Sequence, residues 1–202
     1  MIKKISALTL MAIFALPLSF SAEITIPMAN GENKTIGSTF ITEFSEGEYT
    51  DRGSQFSLED ANNDGYMDVL ECDLENSGAY NIWYNLYIYN PKTGCFNEPQ
   101  GFYNIGIKKD GTISEYFKGR GLGDFGGTAT WKWDGKKYIK LSDEGFFILD
   151  DGTYYTQYTE FSNNGKESEV LSVKYYKETS SGKKIPITKK EYDKAQNDKF
   201  GD

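Results

Sequence analysis

Oxygen-bearing side chains recur at alternate positions in the run Asp60-Ala61-Asn62-Asn63-Asp64-Gly65-Tyr66-Met67-Asp68-Val69-Leu70-Glu71. With Asp60 as position 1, oxygens fall at positions 1, 3, 5, 9 and 12, and glycine at 6. A hard cation such as Ca²⁺ takes roughly six to eight oxygens, and a tight loop of alternating side chains delivers them from one side. Asp60, Asn62, Asp64 and Asp68 would ligate through side chains and Tyr66 through its backbone carbonyl. Glu71 would close the site bidentately, and Gly65 would permit the turn. The whole pattern D-x-[DN]-x-[DN]-G-x5-E is present, which makes Ca²⁺ the expected cofactor. The competing reading is a solvated acidic Asx-turn.

Other chemistry is closed off or weakly signalled. The chain has no histidine, which excludes Ser-His-Asp and Cys-His catalysis, His-ligated zinc and histidine pH sensing. Gly121-Leu122-Gly123-Asp124-Phe125-Gly126 fits G-x-G-x-x-G by letter. The strand-like Thr128-Ala129-Thr130-Trp131 follows it where a dinucleotide site needs a helix. Gly121, Gly123 and Phe125 read instead as a Gly-rich loop at a contact surface. Asp143-Glu144 and Asp150-Asp151 offer carboxylate pairs of the kind glycoside hydrolysis needs. Both lie beside turns, where acidic residues are common. A carboxylate-based hydrolase, or a glycan- or peptidoglycan-binding module, is therefore the alternative reading. Tyr80, Trp83, Tyr84, Tyr87 and Tyr89 could stack on sugar or anchor a protein, or simply pack across strands.

The elements that must position these residues begin after an export signal. Lys3 and Lys4 precede an apolar run to Phe20, and small residues follow at Ser21-Ala22, so residues 1–22 read as a signal peptide. No later stretch reads as a membrane span. The expected product is exported, periplasmic or secreted, and long enough for one domain with a real core. Removing Lys3 and Lys4 leaves 20 basic against 30 acidic residues, a net charge of −10. That balance disfavours nucleic acid and anionic membrane surfaces.

The mature chain reads as all-β, an antiparallel meander forming a barrel or sandwich of about eight strands. Residues 23–177 form the β-domain, with the cation loop between strands, since the periodicity on either side is wrong for helices. Glu23–Ile26, Phe40–Thr42 and Gln55–Leu58 read as strands, Ser45–Ser54 as a loop, and Ala79–Tyr89 as the clearest strand of all. Asp110-Gly111, Asp134-Gly135, Asp151-Gly152 and Asn164-Gly165 each separate β-branched or aromatic runs and suit type I′ hairpin turns. Residues 178–202 read as a polar linker and a short helical tail, opened by the capping box Thr188-Lys189-Lys190-Glu191. An oxidising compartment favours a disulfide between Cys72 and Cys95. A plain meander would hold them about 30 Å apart, far beyond the ~7 Å Cα limit, so the bond stays open as a question.

Leu58 to Tyr138 carries a further signal in its order of parts. A D-x-N-x-D-G-x-x-D loop enters a strand, then come a tyrosine-rich strand ending Tyr89-Asn90-Pro91-Lys92-Thr93-Gly94-Cys95-Phe96, a hairpin, a Gly-rich loop and Trp131-Lys132-Trp133-Asp134-Gly135-Lys136-Lys137-Tyr138. This resembles a family of exported bacterial β-proteins akin to invertebrate-type lysozyme inhibitors, which includes immunity proteins against type IV secretion peptidoglycan hydrolase effectors. The resemblance implies a non-enzymatic protein with calcium on Asp60, Asn62, Asp64, Tyr66 and Asp68, whose partner is a lysozyme-like hydrolase. Inhibitors of related type insert a Ser-Gly-x-x-Tyr loop into the enzyme's cleft. Here Ser77-Gly78-Ala79-Tyr80 is one residue shorter, so Ser77, Gly78 and Tyr80 are candidate partner contacts while Tyr80 also serves as a strand start.

Overall fold

The computed structural model describes residues 22–38, 55–78, 80–119, 124–162, 169–179 and 182–201. The signal segment up to Ser21, the expected strand at 40–42, the loop at 45–54, the Asn164-Gly165 turn and the candidates Gly121 and Gly123 lie outside them.

The described chain is mostly β, all of its named strand pairings are antiparallel, and one short helix closes it. Strands β1 (Ala22–Pro27) and β2 (Asn33–Ser38) form a hairpin. Strands β3 (Gln55–Glu59), β4 (Asp68–Asp73), β5 (Trp83–Tyr87) and β8 (Gln100–Tyr103) make a four-stranded sheet in the order β3-β4-β5-β8. Between them β6 (Tyr89–Asn90) and β7 (Cys95–Phe96) form a small ribbon. Strands β9 (Gly106–Ile107), β10 (Thr112–Lys118), β11 (Phe125–Trp133), β12 (Tyr138–Ile148), β13 (Tyr154–Phe161), β14 (Val170–Glu178) and β15 (Lys184–Ile187) then form a seven-stranded meander in chain order. Helix α1 spans Lys189–Phe200. The meander is as expected, but among the described residues no sheet closes into a barrel, and the strands number well beyond eight.

Alternation along β4 and β5 explains the layering. Val69 and Tyr87 face one way, into a core with Ile26, Met28 and Ile36 of the β1–β2 hairpin and Phe96. Leu70 and Leu86 face the other way, into a core with Phe102, Ile113 and Tyr138. The four-stranded sheet is thus sandwiched between the hairpin and the first strands of the meander. A sheet buried on both faces carries apolar residues at successive positions, as Leu86-Tyr87-Ile88 does. Burying Phe102 or Tyr87 completely contributes on the order of 1.5–3 kcal/mol each. The aromatic strand read as Ala79–Tyr89 is shorter than expected: Ala79 lies outside the described residues, β5 begins only at Trp83, and it breaks at Ile88, where Tyr89 and Asn90 leave the sheet to pair with β7.

Two expectations change. The Asp-Gly turns are not type I′, which needs positive φ at both central residues. In Asp110-Gly111 and Asp151-Gly152 only glycine has positive φ. Gly111 N–H donates to Lys108 O and Lys108 N–H to Thr112 O, so the loop has three residues, with glycine supplying the left-handed position. Asp110 favours this form because its carboxylate accepts the Thr112 amide at 3.0 Å. The polar linker is also a structural element: β14 runs to Glu178, turns, and pairs with β15. The capping box at Thr188 does open α1, whose buried residues are Tyr192 and Ala195. Those two pack with Phe147, flanked by Phe125, Tyr155, Tyr175 and Ile187, so α1 lies across one end of the meander.

Candidate functional site

The oxygens of the Asp60–Asp68 loop first hold its own backbone. Asp60 accepts the Asp64 and Gly65 amides, both at 3.0 Å, on its two oxygens. Asn62 Oδ1 accepts the Asp64 amide and Asp64 Oδ1 the Tyr66 amide, at 3.2 and 2.9 Å. Asn63 and Gly65 supply the positive φ angles, 58° and 87°, that let successive amides turn inward. Each carboxylate oxygen keeps a second lone pair, so Asp60, Asn62, Asp64 and the Tyr66 carbonyl fit the all-oxygen preference of Ca²⁺. From outside, Tyr138 donates its hydroxyl to Ala61 O at 2.6 Å. The β9–β10 turn also presses close, since a Cβ at Gly111 would lie 3.0 Å from Asn62 O.

Asp68 and Glu71 part from this set. Asp68 is fully buried, and its two oxygens accept the Ala61 and Tyr89 amides at 3.0 and 2.8 Å. Burial is the largest influence on its carboxyl, and with the charges of Asp64 and Asp60 it outweighs the two amides, pushing the pKa up to about 7. Asp68 is the brace that ties the loop to the Tyr89 strand. Glu71 lies three residues further along β4, on the opposite face, as an odd spacing requires. Its Oε2 accepts from the Tyr87 hydroxyl at 2.7 Å, Lys34 Nζ at 3.0 Å and Asn85 Nδ2 at 3.2 Å. Lys34 also bonds the Tyr87 hydroxyl. Glu71 therefore anchors the β1–β2 hairpin, on the face of β4 opposite to Asp68. Among the described residues no three acidic or cysteine side chains converge as a ready-made metal cluster.

The described parts of the candidate contact loops meet at one end of the molecule. Ser77 Oγ donates to Asp73 O at 2.6 Å and accepts the Trp83 amide at 2.8 Å; Gly78 N–H donates to Asn81 O. Both residues build the turn, and Tyr80 stands 57% exposed beyond it. Asn81 then grips β10: its Nδ2 donates to Lys118 O at 2.6 Å and its Oδ1 accepts the Lys118 amide at 2.8 Å. Asn104, with φ 41°, donates to Tyr116 O at 2.8 Å and accepts the Ile82 amide at 2.9 Å. β9 pairs with β10 only as far as Ser114. The two asparagine amides cover the edge that β9 leaves open. The Lys118 ammonium lies 5.1 Å from the Tyr80 ring centroid. Tyr80, Ile82 and Tyr116 are the exposed apolar side chains of this end; Phe117, next along β10, points to the other face and packs against Tyr103. Phe125 is not among them: it packs half-buried against Phe200 and over Gly119, where a Cβ would sit 2.0 Å from its ring. Nothing in the sequence marked Asn81 or Asn104, beyond the general tendency of asparagine to replace backbone partners.

Of the carboxylate pairs, Asp143 and Glu144 border one open groove together with Glu115. Asp143 and Glu144 alternate across β12, and Glu144 pairs with Lys184 at 3.3 Å. Asp151 caps the Thr153 amide, and Asp150 bonds Lys199 at 3.1 Å. The two cysteine thiols are free. No protein-family model, curated protein or solved structure matches the chain.

Proposed function

We propose that the chain is an exported, calcium-stabilised binding protein, without enzymatic activity, that inhibits a lysozyme-like peptidoglycan hydrolase. The observation that carries the reading is the union of two loops by Asn81, which presents Tyr80, Ile82 and Tyr116 as one contact surface. Exposed aromatics beside a rigid, hydrogen-bonded turn are the usual anchors of protein recognition. The choice of partner rests on the resemblance of the Leu58–Tyr138 stretch, and on charge: with residues 1–22 removed, and Lys3 and Lys4 with them, the net −8 becomes −10, which steers the protein toward a basic muramidase. No helix among the described residues is long and apolar enough to cross a membrane.

Calcium enters as the support of this surface and takes no part in contact. Asp60, Asn62, Asp64 and the Tyr66 carbonyl would hold it, with Asp68 behind them as anchor. The test is a turbidity assay against a panel of lysozymes and periplasmic muramidases, with pull-down by the mature protein. Inhibition of at least one enzyme, weakened by Tyr80→Ala and Tyr116→Ala, supports the reading. No complex and no inhibition across the panel overturns it.

A further inference from the structure

The face of the four-stranded sheet that meets the β1–β2 hairpin brings together a nucleophile, an electrophile and a carboxylate. Glu71 and Asn85 are direct register partners on β4 and β5, so their side chains leave the sheet side by side on one face. Lys34 of β2 reaches them from the hairpin. Its Nζ donates to Glu71 Oε2 at 3.0 Å, and the Asn85 amide nitrogen donates to the same oxygen at 3.2 Å. An amine and a carboxamide thus share one oxygen of a carboxylate whose side chain is only 9% exposed.

The surroundings prepare each member. The Trp83 indole N–H donates to Asn85 Oδ1 at 3.0 Å, so the carboxamide is oriented from both ends, its carbonyl polarised by a donor and its nitrogen turned to Glu71. Tyr87 donates its hydroxyl to Glu71 Oε2 at 2.7 Å and accepts from Lys34 Nζ. Burial first, and then the hydrogen bond to Glu71, raise the Tyr87 pKa, so this hydroxyl stays a donor. Lys34 Nζ lies 4.8 Å from the Tyr87 ring centroid, so the head group is turned inward although 38% of its side chain is exposed. An anchor for the hairpin needs only Lys34 and Glu71. A carboxamide polarised by an indole adds something an anchor does not require.

We propose that Lys34 and Asn85 join in an intramolecular isopeptide bond, with Glu71 as the proton shuttle. Glu71 takes a proton from the Lys34 ammonium, and the freed lone pair of Nζ attacks Asn85 Cγ. The Nζ–Cγ bond forms, and the carbonyl π pair moves onto Oδ1, where the Trp83 N–H holds the charge. That pair then returns to rebuild the carbonyl, and the Cγ–Nδ2 bond breaks with its electrons leaving on nitrogen. Two protons travel from Nζ to Nδ2 through Glu71, so the nitrogen departs as ammonium and the carboxylate is regenerated. The step is redox-neutral and its balance needs no co-reactant. Folding supplies what free lysine and asparagine lack, which is proximity in a fixed orientation. The bond ties the hairpin covalently to β5, and it uses no residue of the contact surface or of the cation loop.

Intact-mass spectrometry of the mature protein tests the bond. The wild type should be lighter than its sequence by about 17 Da, the mass of ammonia. A protease digest should contain one branched peptide joining the Lys34 and Asn85 segments. Lys34→Arg keeps a cation for Glu71 but removes the nucleophile, so it should carry the full sequence mass. In protein followed from cell-free synthesis, Glu71→Gln should slow the loss of ammonia roughly a hundredfold or more, the usual worth of a general acid–base group. Trp83→Phe should slow it as well. If Lys34→Arg does not fold, the wild-type digest decides by itself. A wild type that stays at full mass at neutral pH, an ammonia loss that persists in folded Lys34→Arg, or a branched peptide between other residues would overturn the proposal.

Discussion

The Asp60–Asp68 loop and the Ser77–Ile82 loop flank the same strand, β4, and are held by opposite means. The first is tied mostly within itself: Asp60, Asn62 and Asp64 accept amides no more than five residues away. The second is tied across the fold, by Asn81 to Lys118, 37 residues on, and by Asn104 to Ile82 and Tyr116. A locally closed loop can form early and costs little chain entropy to order. A loop closed by distant asparagines exists only once two sheets have docked. Even the local loop has two long ties, from the Tyr89 amide to the buried Asp68 and from the Tyr138 hydroxyl to Ala61 O.

This contrast can be broken at four points. Asp68→Ala has the largest expected effect, about 3 kcal/mol, because two buried amides lose their acceptor. Urea denaturation measures it; a loss under about 1 kcal/mol would mean Asp68 is no brace. Asn81→Ala should cost roughly 2 kcal/mol by the same reasoning. Hydrogen exchange at the Lys118 amide should accelerate while the Asp64 and Gly65 amides keep their protection. Equal acceleration in both loops would show that they are one cooperative unit.

Calcium should act on the first loop alone. A site with Kd near 10⁻⁴ M gains about 1.4 kcal/mol at ~1 mM calcium. Melting in millimolar calcium against EGTA reads this directly, and indifference would remove the metal from the account. The smallest change is expected from Glu71→Gln on that increment. Glu71 serves Lys34, Tyr87 and Asn85, so the variant should lose some stability yet keep the full calcium effect. Loss of the calcium effect would return Glu71 to the loop.

The boundary between what could and could not be read follows the same physics. Period-two alternation, Asp-Gly turns and the Thr188–Glu191 capping box are local rules, and they placed an antiparallel meander and a terminal helix where the fold has them. The oxygen spacing at Asp60–Asp64 was equally local, and those residues do share one turn. Glu71 was drawn in by a rule written for helices after the loop. On a strand, three residues reverse the side chain, and only sheet pairing sends it to Lys34. The linker became β15 because β14 had a free edge, and Phe125 turned inward because α1 folded back over it. Composition and alternation thus determined that this chain makes antiparallel sheets. Which sheet faces which, and therefore that Asn81 meets Lys118 and that Lys34 meets Glu71 beside Asn85, was decided by packing between residues far apart in the chain, where one sequence carries no signal of contact.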